Sequence, residues 1–305
     1  MPTHWHPSAL FSSSRTTTTT HAPETPYTVL ILNQPLNGNA LDAILAEATY
    51  LVCADGGADR LLKERQARSR TAPPAPFPTP STGLEPNKYS TGVADEHIDG
   101  EDYQASHHRL PDAIIGDLDS LTAETEAYYR ARGVEVVREP DQYSTDFTKC
   151  LKWIRQKAKQ EANVIDDGGQ GVDVMDVVVL GGLGGRVDQG FSQIHHLFMA
   201  EEDSDLLNGK IYLLSEQSLS FVLRDDVNMI HIEPGSFAEN VGIIPVLGKS
   251  YITTKGLEWD VENWPTEFGG QVSTSNHIRS DLVQISFRGP RPLFTMELEK
   301  QLSAG

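Results

Sequence analysis

Residues 177–195, VVVLGGLGGRVDQGFSQIH, carry an apolar strand straight into two glycine pairs and then into a helix-forming run. A strand ending in glycines lets the backbone close on a phosphate-bearing ligand and commits the segment to a strand–turn–helix unit. The same order recurs in CADGGADRL (53–61) and PDAIIGDLDSL (111–121), with Asp beside Gly at the turn. A fourth segment, PDQYSTDFTKCL (140–151), gathers Asp with Thr and Lys at the start of an amphipathic helix. Repeated units of this kind specify a parallel sheet with helices packed on it.

Strands are expected at 27–32, 50–54, 112–115, 134–138 and 174–180, and helices at 41–48, 58–68, 123–132, 146–160 and 190–200. From residue 209 the helical spacing stops and short segments such as KIYLLS, SLSFVLR, VGIIPVL and DLVQISF follow one another. The fold class read from this change is an α/β domain with a parallel sheet over residues 26–207, then an all-β sandwich or barrel over residues 208–305. Residues 69–110 hold six of the eighteen prolines and few large apolar side chains, which predicts a flexible insertion. The acid-poor, Ser/Thr-rich residues 1–25 are expected to be a disordered tail.

Charge narrows the function. Against 43 Asp and Glu there are only 25 Lys and Arg, a net charge of −18, which argues against a nucleic-acid surface. It is compatible with an anionic substrate, because a divalent cation held by acids reverses the local sign. Two cysteines, Cys53 and Cys150, do not make a disulfide framework, so a cytoplasmic setting is expected. No apolar run approaches the ~18 residues of a membrane helix.

The turns hold the chemistry. Asp117 and Asp119 stand at i and i+2 just past a strand, where a turn can converge both carboxylates on one cation. The plainer alternative, a turn followed by a helix N-cap, stays open on these residues alone. Asp146 and Lys149 share a helix face at a helix start, which suits a metal-bound polyphosphate. Ser144 or Thr145 could equally be an ordinary cap. Asp55-Gly56-Gly57 reads as a phosphate turn or a plain tight turn. Arg186 and Asp188 add a phosphate-pairing cation and a candidate magnesium ligand.

Two tempting motifs fail. Gly182, Gly184 and Val187 miss the third glycine of a dinucleotide fingerprint, and GIIPVLGKS (242–250) has five residues between its glycines where a P-loop has four. The pair His107-His108 lies in a polar stretch and receives no role. Trp259, just past a glycine turn, offers a face for a planar cationic ligand, with the STSN turn at 273–276 to fix the ligand's edge. A core Trp and an ordinary loop are the plainer alternative.

Taken in order, LNQPL (32–36), ADGGADRL (54–61), GDLDS (116–120), PDQYSTDFTKCL (140–151), GGLGGRVDQ (181–189), TTKGLEW (253–259), STSN (273–276) and PLFTMEL (292–298) resemble the thiamine pyrophosphokinase family. The resemblance spans residues 27–298 apart from the insertion. It implies an N-terminal α/β domain for Mg-ATP, a C-terminal β-sandwich for thiamine, and a homodimer whose active sites lie between subunits. It implies diphosphoryl transfer from ATP to the hydroxyl of thiamine, giving thiamine diphosphate and AMP. Asp117, Asp119 and Asp146 would then be the catalytic, magnesium-holding acids. Asn33, Asp55, Gly56, Gly57, Lys149, Gly182, Arg186, Asp188 and Gln189 would face ATP. Gln142, Trp259, Ser273, Ser275 and Asn276 would face thiamine. No nucleic-acid or membrane partner is implied. A rival is a related magnesium-dependent transferase for another small alcohol, such as a pterin or a thiamine analogue; one for a non-aromatic acceptor would not need Trp259 and the STSN turn, and an inactive nucleotide or thiamine sensor would not need every motif aspartate.

Overall fold

Short Val/Ile/Leu runs that can be buried on both faces become central strands, and polar glycine turns end each of them. The computed structural model describes residues 1–14, 25–71, 109–164, 173–224 and 227–303. In chain order it contains β1 (Thr3–Trp5), a 3-10 helix (Pro7–Ser14), β2 (Tyr27–Ile31), α1 (Gly38–Leu45), β3 (Tyr50–Ala54) and α2 (Gly57–Thr71). There follow β4 (Ala113–Gly116), α3 (Ala123–Arg130), β5 (Glu135–Arg138), α4 (Asp146–Val164), β6 (Asp176–Leu180) and α5 (Val187–Glu202). The rest is all strand: β7 (Ile211–Leu214), β8 (Ser218–Val222), β9 (Val227–His231), β10 (Phe237–Ile244), β11 (Ser250–Lys255), β12 (Trp264–Thr266), β13 (Ser273–His277), β14 (Leu282–Arg288) and β15 (Leu293–Leu298).

Ten strands form one sheet in the order β13-β10-β15-β8-β7-β6-β2-β3-β4-β5. From β7 to β5 every pairing is parallel, and from β7 outward to β13 every pairing is antiparallel. The change of character near residue 208 is therefore a change of strand direction inside one sheet. β7 lies beyond residue 208 yet pairs in parallel with β6. A second sheet, β1-β9-β14-β11-β12, supplies the other layer of the sandwich.

Two apolar cores follow from this layering. On one face, Leu41 and Ile44 of α1, Leu61 of α2 and Tyr129 of α3 pack with Val29, Leu51 and Ile114. The same core runs on beneath the second sheet through Phe221, Ile230, Ile252, Val283 and Phe294. On the opposite face, Phe147, Leu151 and Ile154 of α4 and Leu197 of α5 cover Leu30, Val52, Ile115 and Val179. Cys53 and Cys150 are both buried free thiols, one in each core.

Two expectations are corrected. The chain start is not a disordered tail over its first 14 residues, because β1 pairs in parallel with β9 and Trp5 is 0 % exposed. Its ring stacks on Phe221 at 4.3 Å between centroids, and its indole N–H donates to Asn228 Oδ1 at 3.0 Å. One Trp with Leu10 and Phe11 buries enough apolar surface to order a segment whose Ser/Thr-rich continuation masks the signal. The STSN run is not a turn but most of β13, where Val241 pairs with Asn276 and Asn240 with His277. Hydroxyl side chains are tolerated there because the strand lies at the sheet edge. The expected insertion falls outside the described residues except at its ends, with α2 running on through Thr71. No helix among the described residues is long and apolar enough to cross a membrane.

Candidate active site

In a doubly wound sheet, ligands sit beyond the carboxyl ends of the strands where the strand order reverses. Here the chain passes outward from β2 through β5 and returns to β6 on the other side of β2. A cleft of about 340 Å³ opens at that end. Leu32 and Asn33 reach it after β2, Asp55 and Gly56 after β3, and Asp117 and Asp119 after β4. Asp146 and Lys149 reach it from the first turn of α4, and Gln189, Ser192, Gln193 and His196 from α5.

The acids converge closely. One carboxylate oxygen from each of Asp55, Asp117 and Asp119 lies within 4.8 Å of the other two. Gly116 makes this possible, since a Cβ there would meet Asp55 Cβ at 2.8 Å and Asp146 Oδ1 at 3.1 Å. The turns are also strained: Asp55 (φ 41°) and Leu118 (φ 66°) are non-glycine residues in the left-handed region, a conformation that costs of order 1–3 kcal/mol each. Asp59 secures the loop from behind, accepting from the Thr122 N–H at 3.1 Å and the Thr125 hydroxyl at 2.6 Å. Thr122 in turn caps α3.

Electrostatics follow from burial and crowding. Asp55 is 2 % exposed; one oxygen accepts from the Ser120 N–H at 3.1 Å, and the other, Oδ1, has no hydrogen-bond partner among the described residues. Burial, together with the charges of Asp146, Asp119 and Asp117, pushes its carboxyl up to about 6. Asp117 moves the other way, held below the usual range by the Asp119 backbone N–H, then by Gln142 at 3.2 Å and the field of Lys149. Lys149 is 5 % exposed. Burial works against its charge, but its 3.0 Å bond to Asp146 and the fields of Asp117 and Asp141 win and raise it.

The donor set is all oxygen, one buried carboxylate oxygen is unsatisfied, and the crowded acids repel one another. Such a cluster fits a hard divalent cation. His196 adds a neutral polar group. Its Nδ1–H donates to the Ser192 carbonyl at 2.6 Å, leaving Nε2 to accept from the Thr145 hydroxyl at 2.7 Å. Burial holds its pKa down.

Trp259 stands elsewhere. It is 54 % exposed, and its backbone is clamped by Asn276, whose Oδ1 accepts from the Trp259 N–H at 3.1 Å and whose Nδ2 donates to the Trp259 carbonyl at 3.0 Å. Its ring leans on His277 at 5.0 Å between centroids. Ser275 in the same strand takes a positive φ of 55°. None of Trp259, Ser273, Ser275 or Asn276 lines the acidic cleft. Five strand spacings, roughly 24 Å, separate β13 from β6.

Of the residues singled out in the sequence, Asn33, Asp55, Gly56, Asp117, Asp119, Gln142, Asp146, Lys149 and Gln189 line the cleft together. Gly57 does not line it, but starts α2 with its Cα against the Ile31 carbonyl, where a Cβ would meet that oxygen at 2.3 Å. Gly182 packs under Leu213 and Gln193. Arg186 and Asp188 pair with each other at 2.5 Å on the surface, outside the lining. The sequence reading missed Ser192, Gln193 and His196. The signal was present: Gln189, Ser192, Gln193 and His196 recur at helical spacing as a polar stripe directly after the glycine turn.

Known proteins resemble this chain in sequence and fold. A family model described as thiamin pyrophosphokinase, catalytic domain, matches residues 41–207, and one described as the thiamin pyrophosphokinase vitamin B1 binding domain matches residues 227–291. Thiamine pyrophosphokinase 3 of Oryza sativa is 32 % identical over 267 residues, covering 85 % of this chain and 82 % of the relative. Thiamine pyrophosphokinase 1 of the same plant is 31 % identical over 297 residues, with 94 % of each chain covered. The crystal structure of yeast thiamin pyrophosphokinase superposes with a TM-score of 0.72 at 24 % identity, over 97 % of this chain and 91 % of that one. With half the chain matched by the catalytic-domain model and near-complete coverage by a relative above 30 % identity, this chain belongs to the thiamine pyrophosphokinase family.

Proposed function

We propose that this protein transfers the diphosphoryl group of ATP to the primary hydroxyl of thiamine, forming thiamine diphosphate and releasing AMP. The observation that carries this reading is the convergence of Asp55, Asp117 and Asp119 at the strand ends beside a buried Lys149, in a chain of this family. Magnesium, held by Asp117 and Asp119 with Asp55 and Asp146 alongside, would neutralise charge on the triphosphate oxygens. Lys149 sits where it can pair with a phosphate oxygen while Asp146 keeps its ammonium aimed into the cleft. Gln142 fixes Asp117, and Asp146 is placed to orient the attacking hydroxyl or accept its proton. The hydroxyl oxygen bonds to the β-phosphorus, the bond to the α-phosphate oxygen breaks, and AMP leaves with that oxygen. Positioning and charge compensation supply most of the rate in such a transfer.

Trp259, with Ser273, Ser275 and Asn276, is proposed to receive thiamine, whose cationic ring suits an exposed indole face. Since the strand spacing puts Trp259 far from the cleft of its own subunit, a homodimer is proposed in which each Trp259 faces the partner's acidic cleft. Exposed Tyr143, Val187 and Phe191 beside the cleft support a covering partner. The two buried free thiols suit a reducing compartment such as the cytoplasm.

The test is AMP formation from Mg-ATP with and without thiamine, with the product identified by mass. Thiamine-dependent AMP together with thiamine diphosphate is expected. ADP formation, or ligand binding without turnover, would overturn the assignment.

A further inference from the structure

We infer that His4, His6 and His231 form a site for a transition-metal dication, zinc foremost, which clasps the N-terminal strand to the five-stranded sheet. Side chains alternate along a strand, so burying Trp5 in β1 turns the flanking His4 to the opposite, outer face, and His6, just past the strand, stacks on His231. The parallel register sets Trp5 beside Ile230 of β9, and the next residue of β9, His231, meets the rings of both His4 and His6.

The three imidazoles meet there. His4 Nδ1 lies 3.0 Å from His231 Nε2, and one ring nitrogen from each histidine falls within 4.8 Å of the other two. Ring centroids are 4.4 Å apart for His6 and His231, 5.3 Å for His4 and His231, and 6.5 Å for His4 and His6. Tetrahedral zinc with bonds of ~2.0–2.1 Å needs nitrogens about 3.4 Å apart. The ring nitrogens, 3.0 Å apart in one pair and all within 4.8 Å of one another, stand close to that spacing. Three imidazoles with an open fourth position are a frequent zinc set.

Donor hardness separates this site from the acidic cleft. Imidazole suits zinc, copper and nickel, whereas an all-carboxylate cluster suits magnesium. The histidines lie on the outer sheet, with no carboxylate among the three ligands. A metal here would join residue 4 to residue 231, closing a very long loop, so each metal–nitrogen bond would help hold the segment that carries Trp5, Leu10 and Phe11 into the core.

The experiment uses full-length, tag-free protein stripped of metal with a chelator. Titration with Zn²⁺, and with Co²⁺ as a visible probe, is expected to give one tight equivalent with the bands of a tetrahedral site. Amide exchange at Thr3–Trp5 is expected to slow when zinc is bound. His4→Ala, at an exposed position whose loss leaves the core intact, is expected to weaken zinc affinity at least tenfold, and Asp119→Asn to leave it unchanged. If His231→Ala fails to fold, His4→Ala decides alone. Absence of one equivalent, binding that survives His4→Ala but is lost in Asp119→Asn, or exchange at Thr3–Trp5 indifferent to zinc would each overturn the proposal.

Discussion

The parallel and antiparallel halves of the ten-stranded sheet share one hydrogen-bonded surface but handle polar groups in opposite ways. In the parallel half, strand ends draw carboxylates inward until Asp55 is 2 % exposed and one of its oxygens lacks a partner among the described residues. At the antiparallel edge, Asn276 of β13 clamps the backbone of Trp259, which lies between β11 and β12 of the facing sheet and remains 54 % exposed. The first region stores unfavourable charge that a cation and a polyphosphate can relieve; the second stores exposed apolar area that a flat ligand can cover.

The sharpest test of this contrast is at the acids. Asp117→Asn should lower kcat by about 10³-fold with the fold intact by circular dichroism, since a group facing developing charge is worth that order. Near-normal AMP release would break the assignment. Next is the seam: Trp5 packs against Tyr212 of β7 and Phe221 of β8, where parallel pairing gives way to antiparallel. Trp5→Ala should cost about 3–5 kcal/mol in denaturant unfolding, with the KM values unchanged. Two separated transitions in the variant would show that the halves are coupled through this ring.

Asp176 tests the far end of the parallel half, where burial raises its carboxyl to about 6 despite the Lys210 N–H at 2.7 Å. A raised carboxyl pKa means the folded state holds the proton longer than the unfolded chain. Stability is therefore lost as pH rises from about 4 to about 6. Asp176→Asn should remove that loss, gaining at most about 3 kcal/mol over wild type above pH 6 and nothing below pH 4. A gain independent of pH would refute it. The smallest effect is at the exposed platform: Trp259→Ala should raise the KM for thiamine roughly 30-fold, the worth of a desolvated cation–π contact of ~2 kcal/mol, and leave the KM for ATP unchanged. Equal effects on both would erase the contrast between the halves.

Much of this was legible in the chain. The strand-to-glycine turns fixed the parallel sheet and its order of motifs, because apolar runs buried on both faces and glycines at tight turns have few other uses. The spacing of Asp117, Asp119, Asp146 and Lys149 marked them as candidates but left an ordinary turn or helix cap equally open, and the family resemblance was needed to favour a site. The polar stripe of α5 is equally periodic, but helical spacing alone does not say which face of the helix meets the cleft, and Arg186 and Asp188 nearer the glycines pair with each other on the surface. The first 14 residues were misread because a single Trp in a Ser/Thr-rich context gives no periodicity; its burial depends on β9, more than 220 residues away.

By itself the sequence determined the local elements, the residue types at the turns and the family resemblance, since each is written in neighbouring residues. Only the tertiary structure decided which turns share a cleft, that both halves form one sheet, that the strand clamping Trp259 lies seven or eight strand spacings from the strands bearing Asp55, Asp117 and Asp119, and that HWH meets His231. Those facts depend on strand order and register, which are set by packing between distant segments and leave no local mark in the chain.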